Sequence, residues 1–526
     1  MTRPRPATVA RVTAAAASGA LLAVSRPPFD VGPLACVALV PLFLAWRDRG
    51  PRAAAGLAVV AGAVYYAGLC SWIWYFGAIA IVPFAAAVAA YWAAAGALLA
   101  WLRRARVSNP WVTAAVWVCA EAAVARWPFG GFSWGEVGYS FHQIAPARAV
   151  ASVGGVSLVT FLAVALNALV TDLVSERRTF GAYVRAQLGI ATIAAVTVGA
   201  TLARAEPHVV KDLHVALVQG NDLNRDLTDA EVADRYLPAS HFRLARDITR
   251  PVDLIVFPES SMDADPRTDL YIHDTLAGFA RRDHAWVLAN ATVPAPHSTT
   301  RVSNLDVLFS PSGRVEGTYA KRHLVPYGEW VPFGSTLRHV VGELSRIPRD
   351  YKPGDTRGLF AVAGVKIATV ICFESAFGYQ VRPLVQAGAQ VIVVSTNNRS
   401  YRRSANSAQH VAIGQMRAAE TGRPVVQSAI SGITAVIDAD GVVHDRTHLF
   451  RNGVVQTTVA ATSGETPYVR YGEWATQLSL AIGAAAIAVA AVRQRRKSSL
   501  DSGPDPGPAP PDPGLTADER ESTATT

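Results

Sequence analysis

The chain has 526 residues, a formal net charge of +9, 51% hydrophobic side chains and a mean hydropathy of +0.22. That is too apolar for an ordinary soluble enzyme, yet 17% charged residues are too many for a pure membrane bundle, so the apolar residues must be segregated. Nucleic acid is excluded as the target of the positive charge, because many of the basic residues sit beside apolar runs, where membrane topology explains them.

A helix needs roughly 20 apolar residues to cross the hydrocarbon core of a bilayer. Eight runs read as candidate spans: 8–24, 32–46, 53–74, 79–102, 111–125, 149–170, 186–203 and 476–492, of which the second and fifth are short. The first follows Arg3, Arg5 and Arg11 like a signal peptide, but more spans come directly after it, so it reads as an uncleaved helix. If the N-terminus is cytoplasmic, the clusters Arg47–Arg52, Arg103–Arg106, Arg177–Arg185 and Arg493–Lys497 all fall on the inner side. A miscount by one helix would scatter them. Residues 1–205 are then seven spans, 206–471 an extracytoplasmic domain, 472–497 a last span and 498–526 a Pro/Gly/Asp/Ser/Thr tail expected to be disordered in the cytoplasm. The outer loop 126–148 carries Trp127, Phe129, Phe132, Trp134, Tyr139 and Phe141 around Glu136. It reads either as an aromatic belt at head-group level or as a wall of a lipid path into an active site.

In the middle domain, 213–219 and 253–257 read as strands, 229–248 and 268–281 as helices, and 286–292, 304–309 and 313–321 as consecutive strands. The apolar run 362–371 reads as one buried strand ending at Cys372. Helices at 380–387 and 405–420 and strands at 391–396, 424–429, 432–438 and 441–445 follow. Helices interleaved with many strands argue a layered α/β sandwich. Of four cysteines, Cys36, Cys70 and Cys119 lie in apolar runs and pack as small hydrophobes, and no disulfide framework or metal-type spacing is present. Cys372 alone lies in the soluble region. Alone it reads more readily as a buried structural thiol, the commoner fate of a lone cysteine. Together with Glu259 and Lys321 it makes a trio in which each residue stands at the C-terminal end of an expected strand, where α/β sites are built.

Phe257-Pro258-Glu259-Ser260, Lys321 to Phe333 and Ile371-Cys372-Phe373-Glu374 resemble the Glu–Lys–Cys motifs of the nitrilase, or carbon–nitrogen hydrolase, superfamily. With flanking spans, and with Ala216–Asn221, Arg417–Pro424 and Gly432–Asp438 matching as well, the chain resembles the membrane-integrated branch, the apolipoprotein N-acyltransferases. The resemblance implies an αββα sandwich beside the membrane helices, in the inner (cytoplasmic) membrane with both termini cytoplasmic. It implies Cys372 as nucleophile, Glu259 as general base and Lys321 as oxyanion stabiliser, with Glu329, Glu374 and Phe373 in support and no cofactor or metal. The implied reaction is ping-pong: a phospholipid gives an acyl chain to the thiol, and the thioester passes it to the α-amine of an apolipoprotein's diacylglyceryl-cysteine. Two departures from the family pattern, Asn397–Arg403 and Asp222–Asn224, fall on segments expected to line substrate access, and Arg399, Arg402 and Arg403 read either as solvated or as contacts to anionic phospholipid. A membrane-tethered amidase, using the same trio with water as acceptor, and a non-catalytic lipid-binding relative are the alternatives.

Overall fold

The computed structural model describes residues 6–175, 179–204, 206–334, 336, 338 and 349–501. Arg3, Arg5, residues 176–178 of the third basic loop and residues 502–526 of the tail lie outside these. All eight apolar runs are helical. They form α1 (Pro6–Val24), a 3₁₀ turn Gly32–Cys36 leading to α2 (Val40–Trp46), α3 (Pro51–Leu69), α4 (Ala78–Arg104), α5 (Pro110–Val124), α6 (Ala145–Ser175), α7 (Phe180–Leu202) and the C-terminal helix Trp474–Asp501. Six are long and apolar enough to cross a membrane; the run around α2 and the 15-residue α5 are shorter. Pro33 and Pro41 account for the former, because each removes a backbone donor and α2 has to restart after the turn. The C-terminal helix runs on to Asp501, past the expected start of the tail at 498.

The basic clusters gather at one end of this bundle. Arg11 donates to the Ala45 carbonyl (3.0 Å), Arg103 to that of Arg47 (2.9 Å) and Arg493 to that of Arg106 (2.7 Å), and Arg47 pairs with Asp172 (3.2 Å). The α/β half sits at the opposite end, where α7 runs into its first strand.

That half holds two six-stranded sheets. The first has β1 (His208–Gln219), β2 (Leu254–Val256), β3 (Trp286–Pro294), β4 (Val302–Phe309), β5 (Val315–Ala320) and β12 (Gly453–Ser463), in the order β12-β1-β2-β3-β4-β5. The second has β6 (Leu359–Val362), β7 (Val365–Ile371), β8 (Val391–Thr396), β9 (Val425–Ala429), β10 (Ala435–Ile437) and β11 (Val443–Arg446), in the order β11-β10-β9-β8-β7-β6. Strand alternation builds the layers. Val215 and Leu217 of β1 face Ile367 and Val393 of the other sheet in a sealed apolar core, whereas Ala216 and Val218 turn out toward Phe242 and Leu276 on helices Tyr236–Arg246 and Leu270–Asp283. The result is the αββα sandwich.

Three sequence expectations are corrected. The run 362–371 is a hairpin, with β6 and β7 joined at Ala363 (φ +49°) and Gly364 (φ +80°). The helix expected over 229–248 is two, Asp229–Ala233 and Tyr236–Arg246, broken where Arg235 takes a left-handed φ of +54° and pairs with Asp263 and Asp269. Strand β12, unforeseen, pairs antiparallel with β1 along its whole length. It is a half-exposed edge strand in which Val454, Val455 and Val459 are interspersed with Gln, Thr and Ala without a clear alternation to read.

One helix, Asn406–Thr421, ties the halves together, and every side chain on it except Ala408 is buried. The Gln409 amide is fully used: Oε1 accepts from Trp72 Nε1 (3.1 Å) and Trp134 Nε1 (2.8 Å), and Nε2 donates to the carbonyls of Pro27 (3.0 Å) and Leu69 (2.8 Å). Further along, Arg417 pairs with Glu420 (2.5 Å) and donates to Tyr139 Oη (2.6 Å), while Glu420 accepts from Val156 N (2.7 Å) at the Gly154–Gly155 kink of α6.

Candidate active site

Each member of the trio stands just past a strand of the inner layers. Glu259 follows β2, Lys321 follows β5 and Cys372 follows β7. Lys321 is 1% exposed and lies between two carboxylates, 3.2 Å from Glu259 Oε1 and 2.8 Å from Glu329 Oε1. Burial alone would strip its proton, but the charges of Glu259 and Glu329 more than offset that and hold its pKa well above the usual lysine value. Glu259 also accepts from Asn304 Nδ2 (2.6 Å) and, through Oε2, from the Asn397 backbone (2.7 Å). Glu329 Oε2 accepts from Val325 N (2.8 Å), fixing the loop after Lys321.

Cys372 opens a 3₁₀ turn, Cys372–Ala376, with φ +53°. A non-glycine residue there stores roughly 1–3 kcal/mol of strain, and the sharp turn keeps the side chain free of the strand. Burial pushes its thiol up to about 12, the Glu259 charge adds to this, and Lys321, Thr396 and the Asn397 N–H oppose it. The charges of Glu259 and Lys321 thus both reach the sulfur. Glu374 points the other way: its carboxylate accepts from Ile371 N (2.8 Å), Arg322 N (2.7 Å), His323 N (2.9 Å) and Tyr319 Oη (2.9 Å), clasping the lysine strand to the cysteine strand. Phe373 packs on Phe132 and Trp134 of the 126–148 loop. In that loop Trp134 and Tyr139 are buried against the catalytic half, and Trp127 is exposed.

Four polar residues behind the trio, Asn290, Asn304, Asp306 and His410, escaped sequence reading. Asn290 on β3 donates to Asn304 Oδ1 (2.8 Å) and Asp306 Oδ1 (2.9 Å) on β4 and accepts from Ser260 N (2.8 Å). Thr369 donates to Asp306 Oδ2 (2.5 Å). Asn304 and Asp306 are two apart and share one face, a buried polar pair inside a fully buried strand, which is the signal that could have found them. The fourth is His410. Cys372 O can only accept, and Ser375 Oγ already donates to it (2.9 Å), so the His410 nitrogen facing both, Nε2 (3.2 and 2.8 Å), carries the hydrogen. Burial pushes this imidazole down to about 4, so it is neutral at pH 7 and steadies the carbonyl of the nucleophile. Of the atypical segment, Arg399 is engaged by Asp222 (3.4 Å) and Asp226 (3.0 Å), and Arg402 lies over the Tyr75 ring.

Burial, with the charges of Glu259 and Glu374 adding to it, pushes Asp306 up to about 7. An acid whose folded value is raised contributes stability that is complete below its unfolded value and lost as pH rises through the folded one. Asp306→Asn keeps the shape and the partners of the side chain but cannot ionise. The variant should therefore gain on the native protein between pH 5.5 and 8 by about 2 kcal/mol at 1.36 kcal/mol per unit. Thermal unfolding midpoints of both proteins at the two pH values check this; parallel pH profiles would refute it.

Residues 18–169 match the apolipoprotein N-acyltransferase N-terminal domain, and residues 214–468 match the carbon-nitrogen hydrolase domain. The apolipoprotein N-acyltransferase of Geobacter metallireducens is 30% identical over 494 residues, 89% of this chain and 93% of that one. The enzyme of the same name from Azotobacter vinelandii is 31% identical over 487 residues, covering 88% and 91%. Among solved structures, a carbon–nitrogen hydrolase superfamily protein from Xanthomonas campestris matches 56% of this chain and 97% of its own, with 19% identity and a TM-score of 0.37.

Proposed function

This chain belongs to the apolipoprotein N-acyltransferase family, and on that premise we propose that it moves an acyl chain from a membrane phospholipid through Cys372 to the N-terminal cysteine of an apolipoprotein. It is a membrane acyltransferase of lipoprotein N-acylation; the donor, the thioester and the residue roles are what is proposed. The observation that carries the reading is the convergence of Glu259, Lys321 and the Cys372 thiol in one buried cluster beside Phe373, which packs on the loop 126–148 of the helical half.

A thiol near 12 is thiolate in only about one molecule in 10⁵ at pH 7, so the proton has to leave as the bond forms. The Glu259 carboxylate takes it. The sulfur attacks the ester carbonyl of the donor, and the negative charge that develops on oxygen faces the Lys321 ammonium in a site closed to water. Collapse expels the glycerol oxygen, which recovers the proton from Glu259, and a lysophospholipid leaves. The acceptor amine then attacks the thioester and Glu259 takes its proton; as the amide forms, the departing Cys372 sulfur recovers that proton from Glu259, which restores thiol and carboxylate. Both substrates carry chains whose exposure to water costs about 0.8 kcal/mol per CH₂, which a site at the bilayer surface avoids. The proposal puts the catalytic half outside the cytoplasm. In support, the arginine clusters gather at the other end of the bundle.

Mass spectrometry of the Cys372 peptide after incubation with phospholipid alone tests this. A long-chain acyl adduct labile to hydroxylamine, and absent from Cys372→Ala, is the expected result. A short polar acyl group there would mark an amidase, and no adduct with N-acylation intact in Cys372→Ala would end the proposal.

A further inference from the structure

A groove of about 1250 Å³ runs along the seam between the two halves, away from the Glu259–Lys321–Cys372 pocket. Trp72, Trp74 and Tyr75, at the end of α3, line one side; Arg148, Arg403 and Arg446 line the other. Trp72 of the lining packs its ring 4.6 Å from that of Tyr401, and none of Glu259, Lys321 and Cys372 lines the groove, which is therefore distinct from the trio.

Its charge is lopsided. Against three guanidinium groups, the lining holds one carboxylate, Asp30, which is paired with His142 (2.8 Å). Two acids stand at the edge, and both are engaged: Asp440 with Arg204 (2.7 Å) and Asp438 with His444 (2.7 Å). Among the described residues, Arg148, Arg403 and Arg446 form no ion pair. Arg148 spends Nε and Nη1 on the carbonyls of Asp440 (2.7 Å) and His142 (2.9 Å), and Arg403 lies over the Phe450 ring at 5.4 Å. Phe29, Trp74, Tyr75 and Phe76, at the ends of the first and third spans, leave their rings exposed beside it, the habit of side chains at head-group level. Unpaired guanidinium groups fit the paired oxygens of a phosphodiester, and exposed indole and phenol rings fit the glycerol and upper acyl region.

We propose that this groove is a second lipid site, holding the phosphodiester head group of an anionic glycerophospholipid whose ester is not presented to Cys372. The acceptor lipoprotein is the poorer fit, because its reacting end is an amine, which protonates to a cation that three arginines repel. The proposal needs only that the chain resides in a membrane. It therefore stands or falls apart from the thioester chemistry.

The test uses the full chain in detergent, followed by native mass spectrometry during titration with short-chain phosphatidylglycerol, with phosphatidylcholine and inorganic phosphate as the other two ligands. One phosphatidylglycerol should be retained, equally in the native protein and in Cys372→Ala. It should be held about tenfold more weakly by Arg403→Glu/Arg446→Glu, as expected for the loss of charge-assisted contacts. Photo-crosslinking of the native protein with a head-group-labelled phosphatidylglycerol should mark residues 71–75 or 403–408, which serves should the double variant fail to fold. Equal binding by the charge-reversed protein would overturn the proposal, as would labels only around Cys372. Displacement by inorganic phosphate as effective as by the lipid would assign the groove to free phosphate, and displacement by a diacylated lipopeptide would assign it to the acceptor; either outcome overturns it.

Discussion

Lys321→Met should be the most damaging single change in the catalytic half. The ammonium is the shared partner of two buried carboxylates, Glu259 and Glu329. Removing it leaves both anions buried without a positive partner, and breaking one buried pair in this way costs about 3–5 kcal/mol. Acyl transfer should fall by about 10³ as well, because the developing oxyanion loses its positive neighbour. The two effects separate in Lys321→Met/Glu329→Gln, which removes one stranded charge: stability should recover in part, and activity should not. Thermal unfolding and acyl transfer measured on the same preparations decide the matter. A Lys321→Met protein with native unfolding and native turnover would refute the assignment of this residue.

Glu259→Gln should lower acyl transfer by about 10³–10⁴, the scale of a lost general base. It also makes a prediction of opposite sign. The Glu259 charge helps push the Cys372 thiol up, so without it the thiol should ionise at lower pH, even though the enzyme is slower. Thiolate absorbance followed against pH, corrected with Cys372→Ala, reads that shift directly. A purely structural Glu259 would give slow turnover with no downward shift in the thiol. The Gln amide also sets a donor against the Asn397 N–H that Oε2 now accepts, so some loss of stability, about 1–3 kcal/mol, belongs to the same substitution.

Two of the trio were legible because each follows an apolar run. Phe257-Pro258-Glu259 and Val370-Ile371-Cys372 put a chemically active residue at the point where a buried strand has to end, and such a break in pattern stands out. Lys321 follows the half-exposed strand Val315–Ala320, which is no apolar run, and was legible from its place at an expected strand end and from the motif Lys321–Phe333. Asn290, Asn304 and Asp306 were not, because they lie inside strands whose apolar neighbours dominate the pattern, and only the third dimension pairs them with Glu259 and Thr369. His410 and Gln409 sit in the helix expected over 405–420, where nothing in the sequence marked its polar residues as buried. In fact both are buried against Trp72, Trp134 and Cys372 O. The hairpin at Ala363-Gly364 was hidden because apolar residues, Leu359–Val362 before it and Val365, Ile367, Val370 and Ile371 after it, continue on both sides of the turn. The layered sandwich was legible from strand and helix alternation, but the edge strand β12, half-exposed and rich in threonine, carried too little apolar contrast to be read.

Helix Asn406–Thr421 gives Gln409 to the span-end loops and the next residue, His410, to the backbone of the nucleophile. Adjacent positions thus serve two different parts of the molecule, and a rotation of the helix that improves one contact spoils the other. The catalytic half is therefore not a module that can be exchanged. A chimera joining these helices to a water-soluble hydrolase would bring no amide to meet Pro27, Leu69, Trp72 and Trp134, and a fragment beginning at residue 206 would leave that amide without its partners and bare Phe373 to solvent.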